Sequence, residues 1–257
     1  MQINFNAKSI KTPIVLIGLP GLGLVGKIVL DTLVNKLKAK EIGNIKGDFF
    51  PPMVFIDKKG FAKESQNEIY LYKTKTQDYV FIGGDFQPNL DSISSFSHHY
   101  IFAKEIAEFI KKIKAKEVYA FAGMNLGDSR ITKNPEIFFA KNKYFIDKEL
   151  SKNIKLVAEN TTISGISGLI LTECEKLNIP CTCFLSETSA KIYGDFESAK
   201  KTLLFTQKYF KFKFNMKEIE QEAEKISKAF KQVVKELKQV AESSKITENE
   251  VKPTYIR

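Results

Sequence analysis

The chain has 257 residues, 43% apolar and 27% charged, with three Cys and no Trp, which fits one large globular domain or two small ones and excludes disorder, collagen-like repeats and a disulfide scaffold. No stretch approaches the roughly 18 uninterrupted apolar residues of a membrane span, and the first residues lack a signal-peptide core, so a reducing, cytoplasmic setting without a membrane partner is expected. The net charge of +10 rests on lysine, because Arg130 and Arg257 are the only arginines among 40 basic residues; scattered lysines lack the planar fork that reads phosphates and bases, so no nucleic-acid partner is expected and an acidic protein suits the field better.

PIVLIGLP (13–20) is a short, β-branched apolar run ended by Pro and Gly, which predicts a buried parallel strand. GLGLVGKIVLDTLVNKLKAK (21–40) follows with Leu24, Val25, Ile28, Val29, Leu33 and Leu37 at helical spacing. EIYLYKTK (68–75) and DYVFIGG (78–84) predict antiparallel strands joined near Thr76 and Gln77. A helix is expected from Ser92 to Lys114 with Ile101, Ile106, Phe109, Ile110 and Ile113 inward. EVYAFAG (117–123) reads as a buried strand, and GMNLGDSRITKNPE (123–136) as a polar loop. IKLVAE (154–159), a helix from Ser167 to Leu177, and IPCTCFLS (179–186) repeat the strand–helix–strand order, and a helix over 195–210 follows. Alternation of this kind predicts an α/β fold, a mixed and mostly parallel sheet flanked by helices.

The last part differs in pattern. Ile219, Ala223, Ile226, Phe230, Val233, Leu237 and Val240 are spaced alternately by four and three residues, a heptad seam. Asn215 can cap this expected helix, with Glu218 as the reciprocal half of a capping box, and glutamates early and lysines late match the helix dipole. Such a seam packs either on its own domain or on another subunit, since each large side chain gains about 1.5–3 kcal/mol on burial. The expected organisation is an α/β core over 1–213, an amphipathic helix over 214–243 and a flexible tail over 244–257.

Several motifs approach known chemistry. Gly21, Gly23 and Gly26 spell GxGxxG between a strand and a helix, the placement that brings a pyrophosphate to free helix N–H groups. No acidic residue follows at the end of the next strand to hold a ribose. The same residues with Lys27 nearly form a phosphate loop, but Ile28 stands where Ser or Thr would hold Mg²⁺. A glycine-rich turn that lets a helix pack tightly on the sheet explains the same residues. GISGL (165–169) lacks the last glycine of a nucleophile elbow, and Ser167 fits an N-cap. Adjacent His98 and His99 are poorly spaced for a metal, and Cys174, Cys181 and Cys183 read as small buried groups. Asp85 and Asp128 lie beside glycines at cleft positions of an α/β sheet. These residues name no catalytic pair, no metal site and no cofactor. The enzyme alternative is a nucleotide- or nucleoside-binding protein using the turn at 18–27.

In combination and in order, IVLIGLPGLGLVGKIVLDTLV, GDFFPPMVFIDKKG, GGDFQPN, YAFAGMNLGD, ISGISGLIL and IPCTCFLSETSAKIYGDFESAK resemble the archaeal branch of the proteasome assembly chaperone (PAC2) family over about residues 10–240. The resemblance implies a core related to nucleoside phosphorylases without their enzymatic equipment. It also implies a homo-oligomer that binds 20S proteasome α-subunits. Archaeal members engage pockets between α-subunits through a tail ending in a hydrophobic residue, Tyr and any last residue. This chain ends Thr254-Tyr255-Ile256-Arg257, with its tyrosine third from the end. The expectation is therefore a non-enzymatic chaperone whose Tyr255, Ile256 and Arg257 contact the ring. The seam Ile219, Ile226, Phe230, Val233 and Leu237 would join subunits or present the tails.

Overall fold

A strand covered by helices on both sides must be apolar on both faces, and the runs with that property form the centre of the sheet. The computed structural model describes residues 1–6, 10–50, 54–88, 96–131, 134–147 and 149–215. The first elements in chain order are β1 (Gln2–Phe5), β2 (Ile14–Ile17), α1 (Val25–Leu37), β3 (Lys40–Lys46), a hairpin of β4 (Val54–Ile56) and β5 (Ala62–Glu64), β6 (Asn67–Lys73) and β7 (Asp78–Gly84). Then come α2 (Phe96–Lys112), β8 (Glu117–Asn125), β9 (Ile137–Lys141), β10 (Lys155–Leu156), α3 (Ile166–Lys176), β11 (Cys181–Thr188) and α4 (Phe196–Phe210). The expected seam helix and tail fall, from residue 216 on, outside the described residues.

Nine strands form one mixed sheet in the order β1-β3-β6-β7-β2-β8-β11-β9-β10, while β4 and β5 pair apart from it. The four central strands β7, β2, β8 and β11 are parallel. Antiparallel pairing begins on both sides of this centre, at β6 and at β9. Short connections explain one wing: Thr74 and Gln77 close a tight turn between β6 and β7, which can join only antiparallel neighbours. The other central strands are joined by helices, as parallel pairing requires.

Side-chain alternation divides the core between the two faces. Val15, Ile17, Val80, Ile82, Val118, Ala120, Cys181 and Cys183 face one cluster with Phe102, Ile106, Ile110 of α2 and Ile170, Cys174 of α3. The opposite side chains of the same strands, among them Leu16, Phe81, Tyr119, Phe121 and Phe184, are also fully buried. Here the packing is aromatic: Phe184 meets Phe205 of α4 edge-on at 5.2 Å, and Tyr119 meets Phe210 at 4.8 Å. Burial pushes the Tyr119 hydroxyl far above its ordinary pKa, helped by its contacts with Tyr209 and Glu117.

Two expectations need correction. Ile101 points outward and is 44% exposed. The inward stripe of α2 runs through Phe102, Ile106, Phe109 and Ile110, and at about 100° per residue Ile101 lies roughly 120° from its centre. The run over 154–159 contributes only the two-residue β10 at the sheet edge.

Candidate functional site

β2 leads through α1 to β3 on one side of the sheet, whereas β8 leads towards β9 on the other. Neighbouring strands that depart in opposite directions open a crevice at their carboxyl ends, the usual ligand position in an open α/β sheet. A cleft of about 940 Å³ lies there, between the turn after β2, the end of β8 and the segment before α3. Its polar side chains include Gln87, Asn125, Thr161, Ser164 and Tyr193. None of the described lining residues carries a charge, and Tyr193 is the one titratable group among them. Such a surface can hydrogen-bond a neutral polar molecule, but it offers no acid–base pair.

The glycine turn forms one wall. Gly23 has φ +60°, a left-handed conformation that glycine tolerates, and a Cβ there would strike the Thr188 hydroxyl. Gly26 lies in the first turn of α1, and a Cβ there would overlap the Phe121 carbonyl oxygen of β8. These two glycines therefore set how closely α1 approaches the sheet. Gly21 differs: its backbone is extended, and an added Cβ would come no nearer than 4.0 Å to another atom. Leu24 occupies the left-handed region with φ 52° at the N-cap of α1, where a side chain costs about 1–2 kcal/mol.

Lys27 is not among the residues lining the cleft. Its ammonium bridges Asp85 at 2.7 Å and Asp31 at 2.8 Å. Burial works against its charge, but hydrogen bonds to Asp31 and Asp85 outweigh this and hold its pKa above the ordinary value. Burial of Asp31 raises its pKa despite the same lysine. Glu68 stands beside this group, and burial, followed by the charges of Asp85 and Glu41, pushes it up to about 7.

Beneath the turn is a buried ion pair. Arg130, in a 3₁₀ turn over Gly127–Ile131, reaches the Asp195 carboxylate at 2.9 Å and the Glu187 carbonyl at 3.1 Å. Both ionic side chains are almost fully buried. Asp195 also accepts from the Thr188 hydroxyl at 2.8 Å and caps α4 through the Ser198 amide at 3.1 Å. Its own amide donates to the Gly23 carbonyl at 2.8 Å. Turn, strand end and α4 thus meet at one carboxylate. Composition contained a signal for this: where 38 of 40 basic residues are lysine, an arginine inside the body marks a place that needs the fork of donors.

The remaining sequence candidates are dispersed. Asp128 pairs with Lys191 at 2.7 Å. Ser167 sits inside α3, where its hydroxyl donates to the Phe121 carbonyl at 3.4 Å, and the N-cap is Gly165 at φ 74°. The three cysteines are buried and free. Burial and its neighbour Cys174 raise the Cys181 thiol, and burial pushes Cys183 up to about 12. His99 is buried, and the His98 ring stands 6.0 Å from Phe49. Among the described residues no three His, Cys, Asp or Glu side chains group as a metal site, and no helix is long and apolar enough to cross a membrane. Tyr255, Ile256 and Arg257 lie outside the described residues.

Residues 15–234 match the model of the PAC2 family. An uncharacterized protein of Methanocaldococcus jannaschii, MJ1210, is 25% identical over 226 residues, 88% of this chain and 83% of that protein. PbaB of Pyrococcus furiosus, an archaeal proteasome activator, has the same fold at a TM-score of 0.78 and 22% identity, over 90% of this chain and 98% of PbaB. PbaA of the same organism, an archaeal homolog of proteasome-assembly chaperone, gives 0.69 at 23% identity, over 93% of this chain and all of PbaA. The chain belongs to the PAC2 family, the proteasome assembly chaperone-like family that its sequence segments resemble.

Proposed function

We propose that this protein is a cytoplasmic chaperone that binds 20S proteasome α-subunits, partly through Tyr255, Ile256 and Arg257, and acts as a homo-oligomer joined along Ile219, Ile226, Phe230, Val233 and Leu237. The observation that carries the reading is the likeness of fold, across nearly the whole chain, to a proteasome activator and to a proteasome-assembly chaperone homolog. The described lining of the cleft is uncharged, and Lys27, which lies outside it, is engaged by two carboxylates. Tails that bind weakly one by one gain avidity when an oligomer presents several to a ring of equivalent pockets. Native mass spectrometry of the protein mixed with archaeal α-subunits tests the reading. A complex is expected, and deletion of residues 251–257 should weaken it by about tenfold or more while the oligomer persists. Unaltered capture would remove the tail from the mechanism, and no capture at all would reject the reading.

A second reading is a small-molecule protein that uses the turn at 18–27. The lining favours a neutral polar ligand such as a nucleoside over a nucleotide. A nucleoside at a hundredfold excess over its Kd would stabilise the fold by about 2.7 kcal/mol in a thermal-shift assay.

A further inference from the structure

Successive residues of a strand turn their N–H and C=O groups to opposite edges. In β8 the Val118 amide donates to the Pro180 carbonyl just before β11, and just past β8 the Leu126 amide donates to the Thr188 carbonyl, so the even-numbered residues turn to β11. Phe121, Gly123 and Asn125 therefore turn to the other edge, where β2 lies. β11 accompanies β8 as far as Asn125, but β2 stops pairing at Ile17, opposite Ala120. β8 thus runs on for Phe121–Asn125, about 17 Å, without a strand on that side. Burial falls along this stretch, from buried Phe121 through half-buried Ala122, Gly123 and Met124 to exposed Asn125. The Phe121 carbonyl accepts the Ser167 hydroxyl and lies against Gly26. The main-chain groups of Gly123 and Asn125 make no hydrogen bond among the described residues. A second wall of the same cleft has the same property: Thr162, Ile163 and Ser164 belong to no helix or strand and make no hydrogen bond among the described residues. All five line the cleft of about 940 Å³.

We propose that this cleft binds an extended, uncharged peptide segment of another polypeptide, which adds to the open edge of β8 as a short strand in the row that β2 vacates. An open strand edge is a row of unsatisfied donors and acceptors, and an extended main chain carries the matching row. The open groups recur along a strand instead of converging on one point, and the volume stands at the top of the roughly 300–1,000 Å³ range of small-ligand sites. A peptide strand suits both features better than a compact ligand does. Its side chains would alternate between the glycine turn on the α1 side of the sheet and Ile163 on the side of α3. The described lining carries no charge, so an ammonium or carboxylate on the bound stretch would lose its water and gain no partner. The proposal does not rest on α-subunit binding through the tail: here the protein receives a segment, whereas there it offers one. It competes with the small-molecule reading for the same cleft.

Affinity selection read by mass spectrometry tests the proposal on the full chain. The probe is a library of N-acetylated, C-amidated hexapeptides that mixes Ala, Val, Leu, Ser, Thr, Asn, Asp and Lys. Retained sequences should lack Asp and Lys at their middle positions. N-methylation of a retained peptide at alternate residues should weaken binding by about fivefold or more, because each methyl removes a hydrogen bond to β8, and methylation of the residues between should matter less. Ala190→Trp fills the cleft from an exposed rim position and should abolish retention, with circular dichroism to establish its fold. Ser164→Trp, exposed on a different wall, gives the same reading if the first variant does not fold. The proposal fails if no peptide is retained, or if a folded cleft-filling variant retains peptides as the unaltered chain does. A uniform response to N-methylation along the peptide would overturn strand pairing. A nucleoside that stabilises the chain while no peptide is retained would give the cleft to a small ligand and overturn the proposal equally. α-Subunit capture is read in its own assay, so failure there leaves this result standing.

Discussion

The glycine turn after β2 and the loop after β8 are opposites in what they advertise. Gly21, Gly23 and Gly26 look like a ligand fingerprint, yet Gly23 and Gly26 are there because Thr188 and Phe121 leave no room for a Cβ. The loop over 123–136 looks like ordinary polar connection, yet it delivers Arg130 to the buried carboxylate that holds turn, strand end and α4 together. Glycine spacing reports the closeness of two backbones, and a nucleotide is only one reason for that closeness. A lone arginine among lysines was the quieter and better clue to a site under structural constraint.

The largest effect is expected at Arg130. Arg130→Ala leaves Asp195 buried and unpaired, and a loss of about 3–5 kcal/mol is expected in urea unfolding. A loss under about 1 kcal/mol would demote the hub to an incidental contact. Next in size, Gly26→Ala should cost about 1–3 kcal/mol, since its Cβ meets a β-strand carbonyl that cannot withdraw. If it is neutral, packing does not explain that glycine.

Glu68→Gln probes the flank of the turn with a smaller expected effect. The folded carboxyl titrates near 7, above its ordinary 4.5, so the folded state holds the proton more tightly than the unfolded chain. Stability contributed by this group is thus greatest below about pH 4.5 and falls as pH rises to about 7. Glu68→Gln should flatten that fall and stabilise the protein at pH 8 by about 1 kcal/mol, short of the full conversion because solvent screens a partly exposed group. Equal effects at pH 4 and pH 8 would contradict this. The smallest change is expected at Gly21, where alanine fits and should alter stability by about 0.5 kcal/mol or less. A large loss there would mean that the turn is constrained by more than packing.

Much of the α/β frame was legible in the chain because its signals are local. β2, β7 and β8 are largely apolar on both faces, β11 begins as the apolar run Cys181–Leu185 broken only by Thr182, and α1, α3 and α4 carry apolar residues at helical spacing. Ile101 shows where local reading stops. Apolar residues lie on both sides of the first turns of α2, and periodicity alone does not choose which side the sheet will cover. β10 fell short of its expected length because the sheet offers it a single neighbour, β9. The candidate site was legible in position, at the end of β2, and not in chemistry. Nothing in the order of residues shows that Lys27 turns to Asp85, fifty-eight positions away, or that Arg130 meets Asp195.

By itself the amino-acid order determined the alternation of strands and helices, the lysine-borne charge and the segments that resemble the PAC2 family, since each is a property of neighbouring residues. Tertiary structure alone decided the sheet order, the uncharged cleft at the β2–β8 divergence, the buried Arg130–Asp195 pair and the open edge of β8. Those depend on which distant surfaces meet, and burial and charge pairing take their value from that meeting.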